Sequence, residues 1–199
     1  MVVDMVKMNT DRRIGIFAQS EYGKTWLARD IIKYVCSKGD RVVVYDTDYN
    51  DNKYNFSAIK NCYVWKPDKL LGENPSYLNR FILELRKKNS DFWLFIDDID
   101  TFFDKATALS FDFAELKNAA SKGRHQRVGL IYTSKIATHI PSQLLLNTNL
   151  FYIGAFPTKK ALLPLSDIVD ISEILKLDYT KHQFLEIDAK NNYAKRLIE

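Results

Sequence analysis

Little in this sequence can staple, anchor or hinge a structure. Two cysteines, Cys36 and Cys62, make no disulfide framework, and together with His125, His139 and His182 they form no set with zinc spacing. Seven glycines, five prolines and the lack of any low-complexity stretch or internal repeat leave no candidate linker, so residues 1–199 are expected to form one domain. The apolar runs, such as Phe92 to Ile96 and Leu150 to Phe156, stop far short of the ~20 residues a membrane span needs, so no transmembrane segment is expected. The start, Met1 to Thr10, carries Asp4 and Lys7 and lacks the apolar core of a secretory signal, from which an intracellular, cytoplasmic location follows as an expectation. Charge of one sign is also missing: 29 Lys and Arg stand against 25 Asp and Glu, and a net +4 is too small to argue for nucleic acid by itself.

What is present is an alternation of apolar strands and amphipathic helices. Arg13 to Gln19 reads as a buried strand, and Thr25 to Ser37 as a helix with Leu27, Ile31 and Val35 on one face. Arg41 to Tyr45 is a β-branched strand, Asp46 to Lys60 a polar, Asn-rich loop, and Asn61 to Trp65 a further strand. Asn74 and Pro75 have the chemistry of an N-cap and a first-turn proline, opening a helix with Leu78, Phe81, Ile82 and Leu85 on one side. Phe92 to Ile96 is a strand, Ser110 caps a helix that ends near Gly123, and Val128 to Tyr132 and Leu150 to Ile153 are strands. Gln183 to Ile198 reads as a hairpin around Asn191 and Asn192. Strands that are apolar throughout belong in a mostly parallel sheet covered by helices on both faces, an α/β fold. Ligands of such sheets bind beyond the carboxyl ends of the strands.

One such end carries a recognisable phosphate loop. Ala18-Gln19-Ser20-Glu21-Tyr22-Gly23-Lys24-Thr25 follows a predicted strand and opens a predicted helix, the context the motif requires. Its physics is a loop of inward-facing N–H groups, a helix N-terminus aimed at an anion, a lysine reaching the β and γ phosphates of a nucleotide, and a hydroxyl for Mg²⁺. Glu21 and Tyr22 stand where small residues are common, and a carboxylate at Glu21 is unfavourable beside a triphosphate unless it points to solvent or is paired.

A second end carries acid. Phe92 to Ile96 delivers Asp97 and Asp98, the first suited to Mg²⁺ and the second to orienting a water, with Asp100 a weaker candidate for that work. A third run, Gly123-Arg124-His125-Gln126-Arg127 and then Val128 to Lys135, brings a strand out into Thr133 and Ser134. These hydroxyls can contact a γ phosphate or the lytic water if their strand lies between the other two, and are otherwise a turn or cap pair.

The order of Ala18 to Thr25, Asp97-Asp98, Gly123-Arg124, Thr133-Ser134 and Ile140-Pro141 resembles the FtsK/HerA superfamily of DNA-pumping ATPases over Ile14 to Gly154. The compact size is similar to its viral branch, the genome-packaging ATPases of membrane-containing icosahedral viruses, archaeal ones included. The resemblance implies a RecA/ASCE-like P-loop NTPase fold with a C-terminal hairpin, ATP and Mg²⁺ as ligands, and a ring, expected to be a hexamer, on double-stranded DNA. Its partners would include a capsid or membrane-vertex protein, and its location the host cytoplasm or the virion. It implies that Lys24 and the Ser20 to Thr25 backbone hold phosphate and that Thr25 and Asp97 hold the metal. Asp98 would orient water, Thr133 and Ser134 would sense the γ phosphate, and Arg124 would complete a neighbour's site. The family pattern has Thr-Gln where this chain has Thr133-Ser134 or Ser134-Lys135, and often Glu where it has Asp98.

Charge position matters more than its total. From Leu116 to Ser166 there is no acid but seven bases, Lys117, Lys122, Arg124, Arg127, Lys135, Lys159 and Lys160, so the segment carries +7 and the remainder −3. Such a segment suits sequence-independent phosphate contact, a solvated face or a subunit contact. Other readings stay open at this level: partition or transfer of DNA by the same superfamily, a P-loop small-molecule kinase, and a nucleotide-switch assembly protein.

Overall fold

The structure, a computed structural model, describes residues 12–47, 51–68, 74–88, 91–103, 115, 118, 128–156, 158–168, 170–178, 180–189 and 194–198. Eight strands form one sheet: β1 (Arg13–Phe17), β2 (Val42–Tyr45), β3 (Cys62–Trp65), β4 (Phe92–Ile96), β5 (Val128–Ser134), β6 (Leu150–Ile153), β7 (Phe184–Asp188) and β8 (Ala194–Ile198). Their spatial order is β3-β2-β4-β5-β1-β6-β7-β8. The first six run parallel, and β7 and β8 are added antiparallel at one edge, the predicted hairpin. The turn expected at Asn191 and Asn192 lies outside the described residues.

Alternation along each strand feeds two cores. Ile14 and Ile16 of β1, Val42 and Val44 of β2, and Trp93 and Phe95 of β4 pack on one face, under helix α1 (Lys24–Ser37). Phe17, Tyr45, Phe92, Leu94, Ile96, Leu130 and Tyr132 pack on the other, against helix α3 (Pro75–Lys88) and the later turns. This two-sided burial is why the strands read as continuous apolar runs. The expected face of α1, Leu27, Ile31 and Val35, is buried, each side chain contributing roughly 1.5–3 kcal/mol. Asn74 caps α3 as predicted, its Oδ1 accepting from the N–H groups of Ser76 (2.9 Å) and Tyr77 (3.3 Å).

The polar stretch after β2 differs from expectation. Helix α2 (Asp51–Tyr54) and a 3₁₀ turn (Phe56–Ala58) replace part of the predicted loop. Two carboxylates build them: Asp46 Oδ2 accepts from the Asp51 N–H (2.9 Å), and Asp51 Oδ1 from the Ser57 N–H (2.8 Å). Phe56 is fully buried against Phe95, ring centroids 5.6 Å apart, and anchors the turn. Helices α4 (Ser142–Asn147) and α5 (Ile171–Ile174) and a 3₁₀ stretch (Lys159–Leu165) are further elements the hydrophobic periodicity did not announce, all too short to show one. The helix expected from Ser110 to Gly123 falls almost wholly outside the described residues, of which only 115 and 118 are helical.

Topology places the site. The pairing β4·β5·β1 puts β5 between the strand that leads into the phosphate loop and the strand that delivers the acids. Being parallel, all three release their chains at the same edge.

Candidate active site

The phosphate loop begins stitched to its neighbours. Ala18 N–H donates to the Ser134 carbonyl (3.3 Å) and Gln19 N–H to the Ala155 carbonyl (3.2 Å), so the loop leaves β1 held from both flanking strands. Gly23 has φ 85° immediately before α1, a left-handed conformation that costs glycine almost nothing. The first helical bond runs from Leu27 N–H to the Gly23 carbonyl. The N–H groups of Lys24 to Trp26 therefore point off the helix end, with no acid in the first turn to claim them. That is an anion site by construction.

Lys24 is buried, and its Nζ donates to the Gln19 carbonyl at 3.0 Å. Burial holds its ammonium below the usual lysine range, opposed by the charges of Asp98 and Asp97. A charge so desolvated gains from an anionic partner. Glu21, at φ 62°, is exposed: its carboxylate faces solvent. Tyr22 turns the other way and is buried, its ring against Phe184 (5.4 Å) and His182 (5.5 Å), its hydroxyl donating to the Asp178 carbonyl at 3.0 Å. Gly154 makes room for it, since a Cβ there would lie 2.5 Å from the Tyr22 ring. A bulky residue is thus accommodated in the loop because the C-terminal segment packs around it.

Asp97 and Asp98 follow β4 directly. Asp97 is buried, with Thr25 Oγ1 donating to Oδ2 at 3.0 Å and Thr133 Oγ1 to Oδ1 at 2.6 Å. Burial pushes its carboxyl up to about 6, the two hydroxyls and Lys24 pulling against it and Asp98 adding to the rise. Thr133 is fully buried and its Oγ1 also accepts from the Asp98 N–H at 2.7 Å. One hydroxyl thereby fixes both acids, which follows from β5 lying beside β4. Asp98 adopts φ 43°, ψ 52° and opens a 3₁₀ turn. Lys135 Nζ meets Asp98 Oδ2 at 2.6 Å.

Ser134 is placed differently from Thr133. Its Oγ accepts from the Ile136 N–H and donates to the Ile136 carbonyl, each at 3.1 Å, closing a turn after β5. Asp100, buried and pushed up by that burial, accepts from the Lys135 N–H at 3.2 Å. Asp100 therefore braces the β5 exit, and Lys135 occupies the position nearest Asp98.

Among the described residues, no three His, Cys, Asp or Glu side chains converge to hold a metal unaided. The Thr25 hydroxyl and Asp97 carboxylate, already in contact, are hard oxygen donors of the kind Mg²⁺ takes when phosphate oxygens supply the rest. A cavity of about 560 Å³ opens along the loop from Glu21 to Thr25, Lys24 included, and is walled further by Trp26, Tyr54, Lys53, Lys181 and His182. Trp26, half exposed, meets Tyr54 edge-on at 5.2 Å. The sequence carries no motif at Trp26 or Tyr54, and His182 entered only as a histidine without zinc spacing.

The structure thus brings together Ala18 to Thr25, Asp97, Asp98, Thr133 and Ser134. Arg124, with Lys117, Lys122 and Arg127, lies outside the described residues. Of the basic segment, Lys159 and Lys160 are exposed, and Lys135 faces Asp98.

No protein-family model and no curated protein sequence matches the chain. Solved structures do match. The genome packaging NTPase B204 of Sulfolobus turreted icosahedral virus 2, in complex with ATP-gammaS, superposes with a TM-score of 0.76 at 15% identity, over 96% of this chain and 98% of that one. B204 of Sulfolobus turreted icosahedral virus, a DNA-packaging ATPase, gives 0.74 at 15% identity over the same shares. ATPases 2 and 3 of EssC from Geobacillus thermodenitrificans give 0.59 at 14% identity, over 89% of this chain and 38% of that one. At such identities the likeness is one of fold, and it fits the FtsK/HerA resemblance of the motifs: the chain has the P-loop NTPase fold of these ATPases, a mostly parallel sheet, and carries a C-terminal antiparallel pair.

Proposed function

We propose that the protein is a Mg²⁺-dependent ATPase that moves double-stranded DNA, filling a viral capsid with its genome. The observation that carries the reading is the convergence of the Lys24–Thr25 helix start with Asp97 and Asp98 at one sheet edge, Thr25 on Asp97 at 3.0 Å. The neighbours described as packaging NTPases span nearly the whole chain, which supports the packaging reading over a small-molecule kinase.

In this reading Lys24 and the N–H groups at the start of α1 bind the β and γ phosphates. Mg²⁺, held by Thr25 and Asp97, would neutralise phosphate charge. Thr133 holds both acids in register, and Asp98 orients the attacking water and takes its proton. The cavity beside Trp26, Tyr54 and His182 offers aromatic faces to the base. Arg124 reaches a neighbouring subunit's γ phosphate in a ring, which we infer to be a hexamer, and Lys122, Arg127, Lys159 and Lys160 contact duplex phosphates without reading sequence. Partition or conjugative transfer would use the same site with another docking partner.

The test is steady-state ATP turnover with and without duplex DNA, across protein concentration. Turnover is expected to rise with DNA and, per subunit, with assembly. Lys24→Ala is expected to lower it about 10³-fold, and unchanged turnover in that variant would refute the site.

A further inference from the structure

The two cysteines of the chain are far apart in sequence and meet in the fold, and nothing in the function proposed above uses them. Cys36 lies in the last turn of α1, about 18 Å of helix from Lys24, and Cys62 opens β3, the edge strand of the sheet. Their common neighbour is Val42. Parallel pairing sets Cys62 opposite Val42, and the Cys36 sulfur accepts from the Val42 N–H. Both side chains enter the core on the α1 face of the sheet, both are free thiols, and the Cys62 thiol donates to the Cys36 sulfur.

Contact of this kind sets two roles. The end of a helix is unfavourable to an anion, so a thiolate at Cys36 depends on the two donors that face it, Cys62 and the Val42 N–H. The bond from Cys62 holds the Cys36 thiol below its usual range, against its burial and the charge of Asp40, and the same bond and burial push Cys62 up. Cys36 is thus the nucleophile and Cys62 the thiol that waits beside it. Access limits the oxidant. Cys36 is 5% exposed and Cys62 8%, each next to an exposed residue, Ser37 and Tyr63, which admits a molecule little larger than water and shuts out a bulky disulfide.

We propose that Cys36 and Cys62 are an oxidisable dithiol, which hydrogen peroxide converts into an intramolecular disulfide that fastens the edge strand β3 to the end of α1. The Cys36 thiolate attacks one peroxide oxygen, the O–O bond breaks, and its electron pair leaves on hydroxide, which takes up a proton to become water. Cys36 is then a sulfenic acid. The Cys62 sulfur attacks the Cys36 sulfur, the S–O bond breaks, and the hydroxyl leaves with the Cys62 proton as a second water. The two thiols lose two electrons and the peroxide gains them. The bond closes the loop of residues 37–61 and ties down a strand otherwise paired along one side, to β2.

The test treats the full chain with hydrogen peroxide and follows intact mass, non-reducing tryptic maps and melting. Cleavage at Lys38, Arg41, Lys53 and Lys60 separates the cysteines unless they are bonded. The expected product is a monomer lighter by two hydrogens, with the Cys36 and Cys62 peptides joined. Its melting temperature should rise by about 5–10 °C and return on reduction with dithiothreitol. Cys62→Ser should stop at a Cys36 sulfenic acid, trapped by dimedone, while Cys36→Ser should give no trapped Cys62 under the same treatment. Sulfinic or sulfonic acid at either cysteine without the joined peptide, or a bond between two chains instead, overturns the pair. A joined peptide with unchanged or lowered melting temperature overturns the fastening of β3. Should either serine variant fail to fold by circular dichroism, the wild-type map and melt still decide.

Discussion

Asp97 and Asp98 are neighbours in the chain and strangers in their surroundings. Asp97 is walled in, with each oxygen held by a threonine hydroxyl; Asp98 stands at the rim in a left-handed backbone conformation, held by one exposed lysine. A buried carboxylate with rigid partners suits a fixed ligand role, because its oxygens cannot wander. A rim carboxylate with an exchangeable partner suits a proton acceptor that must be free at one moment only. Two like carboxylates are thereby set in different surroundings, which in the proposed function suit them to different uses.

Asp97→Asn disturbs this contrast most. It removes the buried carboxylate to which Thr25 donates and is expected to lower turnover about 10³-fold at saturating Mg²⁺. The same variant reads the cost of that burial. In the nucleotide-free protein the carboxyl is raised to about 6 from an unfolded value of 3.8, so between those values the folded state keeps a proton that the unfolded state has lost. Stability therefore falls as pH rises from about 4 to about 6, by on the order of 3 kcal/mol, and is level above that. Melting temperature against pH should show this decline in the wild type and not in Asp97→Asn.

Asp98→Asn should separate activity from stability. Turnover is expected to fall about 10²-fold, the usual worth of a positioned base. Melting temperature should move less than for a core substitution, since Lys135, 41% exposed, can be solvated once the pair is lost. A melting shift as large as that of a core substitution would mean that Asp98 is structural.

Thr133→Val acts on both acids at once. It leaves the Asp98 N–H and one Asp97 oxygen without their shared partner, at about 1–3 kcal/mol of stability, and lowers turnover about tenfold by loosening both acids. Thr133→Ser keeps the hydroxyl and should recover most of each. Urea melts and turnover on the two variants check this, and a Val variant as active and stable as Ser would refute the bridging role.

How much of this was legible depended on range. The strands, α1 and the Asn74 cap were readable because each is written in a local pattern: an apolar run, a 3.6-residue face, an Asn-Pro start. The strand-to-helix setting of Ala18 to Thr25 was readable for the same reason. What connects them was not, because parallel pairing joins residues far apart in the chain. The condition that β5 lie between β1 and β4 could be posed from the sequence, and only the register Ile16 opposite Thr133 answers it. Lys135 shows the limit most clearly. Along the chain it joins six other bases in an acid-free stretch; in the fold it pairs with Asp98. The helix at Asp51–Tyr54 was missed because its ends are made by carboxylates reaching back along a polar run, which composition reads as loop.

The smallest effect belongs to the loop carboxylate that looked most troublesome in the sequence. Glu21 lines the cavity but is exposed, and an exposed charge is strongly screened. Glu21→Gln is therefore expected to change ATP affinity less than about twofold, and a tenfold gain would show that the carboxylate does approach the phosphates. Glu21→Gly asks about the backbone instead. It relieves a φ of 62°, worth roughly 1–2 kcal/mol to a residue with a Cβ, against the roughly 0.5–1 kcal/mol that glycine's extra freedom costs. The difference is a net stabilisation below about 1.5 kcal/mol. A loop that keeps Glu21 despite that gain is held in its phosphate-binding shape by its neighbours, Tyr22 locked under the C-terminal segment and Gly23 at the helix start, and not by the preference of Glu21 itself.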